Sequence, residues 1–173
     1  MIAVVGHPDL AVGASLADGL RDALEGCATG ASVLVRAGAG LPLLVGQAVR
    51  EAGRKLVVLL PRPFPGTATL PPRDRAAAGE LLLLAEHVRL LPYDPADRDA
   101  SVSADEQLIA SCRQVVAVWD GSPSSGRDAT AHLVAFARGR GIPVTVLRPA
   151  GAAPVRVRDG KRQETDTYVA PSG

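Results

Sequence analysis

Short apolar runs rich in valine and leucine recur along the chain, separated by stretches whose apolar residues return every three or four positions. The runs predict β-strands near residues 2–5, 32–36, 55–60, 87–91, 114–118 and 143–147. Between them, Leu16, Leu20, Ala23, Leu24 and Cys27 fall on one helical face, as do Leu44, Val45, Ala48 and Ala52, and then Ala129, Leu133, Phe136 and Ala137. Alternation of strand and helix is the signature of βαβ units and a parallel sheet. Several strands, such as Leu56-Val57-Val58-Leu59-Leu60, are continuous apolar runs, which means that helices cover both sheet faces. The expected architecture is α/β, a doubly wound, three-layer, Rossmann-like parallel sheet over residues 1–150. Right-handed crossovers bring the C-terminal strand ends to one edge, where ligands bind near the reversal of strand order.

The loops at that edge are Gly6-His7-Pro8-Asp9, Ala37-Gly38-Ala39-Gly40, Pro61 to Gly66 and Asp120 to Gly126, and they are expected to converge on one cleft. The last is the most suggestive. The run Val115 to Val118 leads through Asp120-Gly121-Ser122-Pro123-Ser124-Ser125-Gly126 to a helix that Asp128 or Thr130 can cap. Backbone amides of such a turn, with the positive end of a helix behind them, suit an anion such as phosphate. The Pro-rich stretch from Pro61 to Pro72 reads as a long loop.

Composition narrows the picture. At 173 residues with 47% hydrophobic content and positive mean hydropathy, one domain can bury a substantial core. Only 3% of residues are aromatic, so leucine, valine and alanine must fill it. A net charge of +1 gives no global attraction to nucleic acid or an anionic membrane. Cys27 and Cys112 lack metal-binding or redox spacing and are expected to be reduced structural thiols, with no metal site and no cofactor. The chain opens directly on Ile2-Ala3-Val4-Val5 and contains no apolar stretch of membrane-spanning length, so a cytoplasmic location is expected. From Ala150 onward, charged and small residues dominate. Val155 to Arg162 resembles a hairpin around Asp159-Gly160, and residues 151–173 are expected to form a short hairpin or loose tail.

Gly38-Ala39-Gly40 opens a helix that ends Ala48-Val49-Arg50-Glu51-Ala52-Gly53, followed by a strand ending Leu60-Pro61. This order resembles the first half of the SLOG superfamily, which holds the LOG or lysine-decarboxylase-like proteins and the Smf/DprA domains. Val118-Trp119-Asp120-Gly121, Gly126-Arg127-Asp128-Ala129-Thr130-Ala131 and Ala137 to Pro143 are similar to its second half, where a Gly-Gly-Thr turn contacts a nucleotide phosphate. The exit Arg148-Pro149-Ala150-Gly151 resembles bacterial members. The resemblance covers about residues 1–150 and implies a nucleotide-binding, homodimeric protein.

The departures bear on chemistry. In the LOG phosphoribohydrolases, which cleave the N-glycosidic bond of nucleoside monophosphates, a catalytic glutamate follows the phosphate turn. Here the helix continues Ala131-His132-Leu133-Val134-Ala135-Phe136, with no carboxylate. Asp128-Ala129 stands where that turn has paired glycines, and Leu41-Pro42 where many members carry an acidic residue. Pro42 suits a first helical turn. Glycosidic cleavage needs a carboxylate in reach, and the cleft candidates are Asp9, Asp94 and Asp120.

Thr130, with Gly121, Ser122, Ser125 and Gly126, is the leading phosphate-binding set. Gly6, His7, Gly38, Gly40, Pro61 and Asp120 lie at the same edge, where His7 either touches a base or phosphate or is simply solvated, and the Gly38/Gly40 pair is either a ligand contact or a tight turn. Arg36 and Arg62 either grip a phosphate bidentately or are surface arginines. Trp119 either stacks on a base, packs, or serves a subunit contact. Ser122, Ser124 and Ser125 have no activating histidine at motif distance, which excludes serine hydrolysis. The expectation is a nucleotide-binding protein without turnover. The alternatives are a nucleoside-monophosphate phosphoribohydrolase or deoxyribosyltransferase-like N-glycosidase, and a ligand-free interaction module.

Overall fold

The computed structural model describes residues 1–7, 13–62, 64–66, 68–126 and 128–149. The chain order is β1 (Ile2–Gly6), α1 (Ala14–Glu25), β2 (Val33–Arg36), α2 (Leu41–Glu51), β3 (Leu56–Pro61) and α3 (Pro72–Leu84). It continues with β4 (His87–Leu91), α4 (Arg98–Ala110), β5 (Gln114–Val118), α5 (Thr130–Gly139) and β6 (Val144–Leu147). All six strands expected from the apolar runs are present. They form one sheet in the order β4-β3-β2-β1-β5-β6, every neighbouring pair parallel.

Side chains alternate across each strand and so build two cores. Ile2, Val4, Val33, Val35, Val58 and Val118 pack under α1, α2 and α3. Ala3, Val5, Leu34, Val57, Val115 and Ala117 pack under α4 and α5. The molecule is a three-layer Rossmann-like α/β sandwich. Leu16, Leu20 and Leu24 are the buried stripe of α1, which ends at Glu25; Cys27 lies beyond it, buried, with its thiol on the Ala23 carbonyl. Two elements differ from the sequence expectation. Pro72 belongs to α3, so the preceding loop is shorter than expected, and proline fits there because a first-turn amide has no helical acceptor. Strand β4 is exposed from His87 to Leu90 because it pairs only with β3 at the sheet edge.

Strand order reverses between β1 and β5, which are neighbours in the sheet. Gly6 at the end of β1 stands opposite Val118 at the end of β5. A side chain on Gly6 would meet the Leu41 Cδ2 methyl and approach the Val118 carbonyl oxygen to 2.8 Å, so glycine is required by the closeness of these backbones. Gly40 has a second backbone reason: at φ 74° it turns the chain from β2 into α2, with Pro42 in the helix's first turn. The predicted hairpin or tail at 151–173, and Asp9 among the carboxylate candidates, lie outside the described residues. Among the described residues, no helix is long and apolar enough to cross a membrane.

Candidate functional site

A cavity of about 100 Å³ opens at the C-terminal strand ends, beside the reversal point. Gly6, Arg36 and Gly38 line it together. Val4 and Leu41 come from one core and Val5 and Leu133 from the other, so the cavity sits over the sheet edge and not within one layer. Two carboxylates complete the wall: Asp74 from the first turn of α3 and Asp105 from the middle of α4.

Arg36 is the last residue of β2, and the alternation that buries Leu34 under α4 also turns the Arg36 side chain toward that helix. Its Nε donates to Asp105 Oδ1 at 2.8 Å, with 34% of the arginine side chain and 12% of the aspartate side chain exposed. Burial works against the Arg36 charge, but the Asp105 carboxylate outweighs it and holds the guanidinium protonated more firmly than in a free arginine. Burial pushes the Asp105 carboxyl above its ordinary range, and Arg36 pulls it part of the way back. Tyr93, just beyond β4, is buried beside this pair; burial raises its phenol, which also feels the charges of Arg36, Asp105 and Asp74. Its buried hydroxyl faces Arg36, without a hydrogen bond of full geometry among the described residues. Asp74 Oδ1 accepts from the Ala39 amide at 2.9 Å and so ties the Gly38–Gly40 turn to α3.

The turn after β5 is organised by its own side chains. The Asp120 carboxylate accepts from the Ser122 amide at 2.8 Å and hydroxyl at 2.6 Å. Those bonds from Ser122 hold the carboxyl below its ordinary range, with His7 contributing through its charge. The Trp119 indole donates to the Ser122 carbonyl at 2.8 Å, which makes Trp119 a brace of this turn. Ser125 and Asp128 exchange backbone hydrogen bonds at 3.0 and 2.8 Å. Asp128 Oδ1 accepts from both the amide and the hydroxyl of Thr130, at 2.8 and 2.6 Å, and the Ser124 hydroxyl accepts from the His132 amide at 3.0 Å. The start of α5 is therefore capped from within the chain, and Thr130 is buried at 2% exposure. This placement gives the Asp, Ser and Thr residues of the turn a local role of their own.

No protein-family model matches the chain, and no curated protein does. A likeness is found among solved structures. The crystal structure of TM1055, a structural-genomics target, is 23% identical, with a TM-score of 0.50 over 83% of this chain and 71% of that chain. The fold is Rossmann-like. That similarity, together with the six parallel strands, carries the architecture alone.

The sequence-derived residues thus separate into groups. Gly6, Arg36 and Gly38 share the cavity, with Gly40 in the turn above it. Trp119, Asp120, Gly121, Ser122, Ser125, Gly126 and Thr130 form the neighbouring turn, reached electrostatically by His7. Pro61 ends β3, two strands away from β1, and does not line the cavity; Asp94 accepts from the Ala68 and Ala96 amides in the loop beyond β4. Asp74, Tyr93, Asp105 and Arg98 are the residues that sequence reasoning missed. Arg98 Nε donates to the Gly126 carbonyl at 2.6 Å and brings a cation to the turn. Helix-start signals were legible for two of these segments: Pro72 for α3, and for α4 Asp97, whose side chain accepts from the Asp99 and Ala100 amides. Among the described residues, no cluster of histidine, cysteine, aspartate and glutamate could hold a metal ion.

Proposed function

We propose that this protein binds a nucleotide or nucleotide-derived small molecule across the C-terminal edge of its sheet, without turning it over. The observation that carries the reading is the cavity at the strand-order reversal, lined by Gly6 at the end of β1, Arg36 at the end of β2 and Gly38 just beyond it. The cavity is smaller than the roughly 300 Å³ of a ligand pocket for a whole small molecule. It therefore takes one part of the ligand while the remainder lies along the β5 turn. There Arg98 supplies positive charge for a phosphate, and Ser125 and Gly126 are exposed. The motifs around Gly38–Gly40 and Gly121–Thr130 support placement in the SLOG superfamily.

One observation favours a second reading, an N-glycosidase acting on nucleoside monophosphates. Asp74 and Asp105 put carboxylates in the cavity, and Asp74 is partly accessible. Incubation with a panel of nucleoside monophosphates separates the two: an unchanged panel with a raised melting temperature supports binding alone, and released base supports the enzyme.

The proposal includes a homodimer. A groove of about 580 Å³ runs between α2 and α3 and is lined by Leu43, Leu83 and Leu84 together with Arg50, Glu51 and Glu80. Leu83 is 88% exposed at its rim. A second copy related by a two-fold axis would cover the leucines and set Arg50 against an acidic residue of the partner copy.

A further inference from the structure

Helix α3 and strand β4 leave an apolar strip uncovered at one edge of the sheet. Phe64, Leu82, Leu83, Val88 and Leu90 are the exposed large hydrophobic residues among those described, and all of them lie on α3, on β4 or in the loop that joins β3 to α3. Leu81 is buried, while Glu80, Leu83 and Leu84 line the groove toward α2. Successive residues step about 100° round a helix, so Leu82 lies on the flank of α3 that faces away from α2, toward the β4 edge. Within β4, Val88 stands in register with Val58 and Leu90 with Leu60, and both of those belong to the core under α1, α2 and α3. Val88 and Leu90 therefore point to the α3 face, yet they remain 44% and 55% exposed. The loop that carries Phe64 reaches the end of the same strand, since the Arg62 amide donates to the Leu91 carbonyl and the Ala68 amide to Asp94.

The other face of the strand is cationic. Arg89 stands in register with Leu59 and His87 with Val57, on the α4 side. The Arg89 guanidinium lies against the Ser111 hydroxyl at 3.5 Å and the Met1 sulfur at 3.3 Å, neutral groups that leave its charge unanswered among the described residues. The carboxylates at the two ends of β4 are engaged elsewhere: Glu86 accepts from Lys55 at 2.7 Å, and Asp94 from the Ala68 and Ala96 amides. Along its open side an edge strand presents a row of backbone donors and acceptors.

These properties select an occupant. A strand laid beside β4 would turn its side chains alternately to the two faces, apolar ones onto Leu82, Val88 and Leu90 and acidic ones onto His87 and Arg89. A second copy does not fit, because two β4 strands related by a two-fold axis across this edge keep like faces together and bring the Arg89 charges toward one another. Arginine on an edge discourages self-pairing, which the uncovered Leu82, Val88 and Leu90 do not. An anionic bilayer would answer the charge but leave the strand's backbone groups unpaired.

We infer that the β4 edge is a docking site for an extended peptide segment in which apolar and acidic residues alternate, added to the sheet as a further strand. The site is independent of the nucleotide reading and of the α2–α3 groove, which lies on the other flank of α3.

The test is fluorescence anisotropy of short labelled peptides titrated with the full chain. A peptide of alternating valine and glutamate is expected to bind roughly tenfold or more tightly than one with the same residues in two blocks, or than alternating valine and lysine, the effect of a few backbone hydrogen bonds and one charge pair. Methylation of one alternate set of its amide nitrogens, the set facing β4, is expected to abolish binding, and methylation of the other set to leave it. Arg89→Glu changes an exposed side chain, so it is expected to hold the melting temperature and to turn the preference toward the lysine peptide. Equal binding of the alternating and blocked peptides, binding that survives methylation of either set, an unchanged preference in Arg89→Glu, or no binding at all overturns the site. Binding to anionic phospholipid vesicles in place of the peptide also overturns it and assigns the strip to a membrane surface.

Discussion

Arg36 and Asp105 stand 69 positions apart in sequence and meet at 2.8 Å over the end of the sheet, where one closes β2 and the other projects from α4. Breaking a fully buried ion pair costs about 3–5 kcal/mol because it strands the remaining charge. Arg36 keeps 34% of its side chain in solvent, which screens part of that cost, so Asp105→Ala is expected to lose about 2–3 kcal/mol in urea unfolding. A double variant, Arg36→Met with Asp105→Leu, is expected to recover most of it. A double variant as unstable as Asp105→Ala would show that the pair is not the source.

Gly6 is the second point at which the site constrains the fold. In Gly6→Ala the new methyl would press on Leu41 and on the Val118 carbonyl at 2.8 Å, and backbone cannot yield as a flexible side chain does. Overpacking of this kind costs about 1–3 kcal/mol, or roughly 2–4 °C of melting temperature per kcal/mol for a domain of this size. Thermal unfolding of the purified variant measures it.

Most of the architecture was legible because the central strands are buried on both faces. Runs such as Leu56 to Leu60 are apolar throughout and bounded by charged or turn residues, so strands were placed to within about one residue of the observed Leu56–Pro61. The cavity was half legible. Gly6 and Arg36 end their strands and Gly38 lies just beyond one, and any parallel sheet brings such residues to one edge. Asp74 and Asp105 were not visible because they sit on helices, where nothing local says which carboxylate leans over a strand end. Helix α3 is a poor advertisement for itself: it buries only Ala77, Ala78 and Leu81 and carries Leu82 and Leu83 on its exposed side. The β5 turn was recognised as polar and glycine-rich, but composition cannot tell donors that await a ligand from donors already taken by Asp120, Ser124 and Asp128.

Thr130 offers a direct check on how that turn is held. Its hydroxyl and amide both donate to the buried Asp128 carboxylate. Thr130→Val removes the hydroxyl donor and leaves a buried acceptor short of one bond, with an expected loss of about 1–3 kcal/mol. Thr130→Ser restores the donor and is expected to restore most of the stability in the same denaturation experiment.

The two cysteines set a pH dependence at the alkaline end. Burial raises both thiols above their ordinary value, opposed in part by Arg54 at Cys27 and by Ser111 at Cys112. The unfolded chain releases these protons at about pH 8.5, before the folded chain does. Their contribution is therefore fully present below that pH and is lost as pH rises through the folded values. Replacing Cys27 and Cys112 with alanine is expected to flatten the decline of stability above about pH 8.5. A thiol reagent at neutral pH is expected to label neither residue until denaturant is added.

Leu83 tests the homodimer. Sedimentation or light scattering at micromolar concentration is expected to return twice the chain mass, and Leu83→Glu is expected to return the monomer because it sets a carboxylate beside Glu80 and Glu51 in the groove. A native protein of monomer mass would assign the α2–α3 groove to a different partner or to none.

The most direct measurement of the central claim is thermal unfolding of the native protein against a panel of nucleoside monophosphates. A ligand that binds the crevice stabilises the folded state by about 2.7 kcal/mol at one hundred times its dissociation constant. The expected result is a concentration-dependent rise in melting temperature for at least one nucleotide. A melting temperature unmoved by every nucleotide at millimolar concentration would contradict the account.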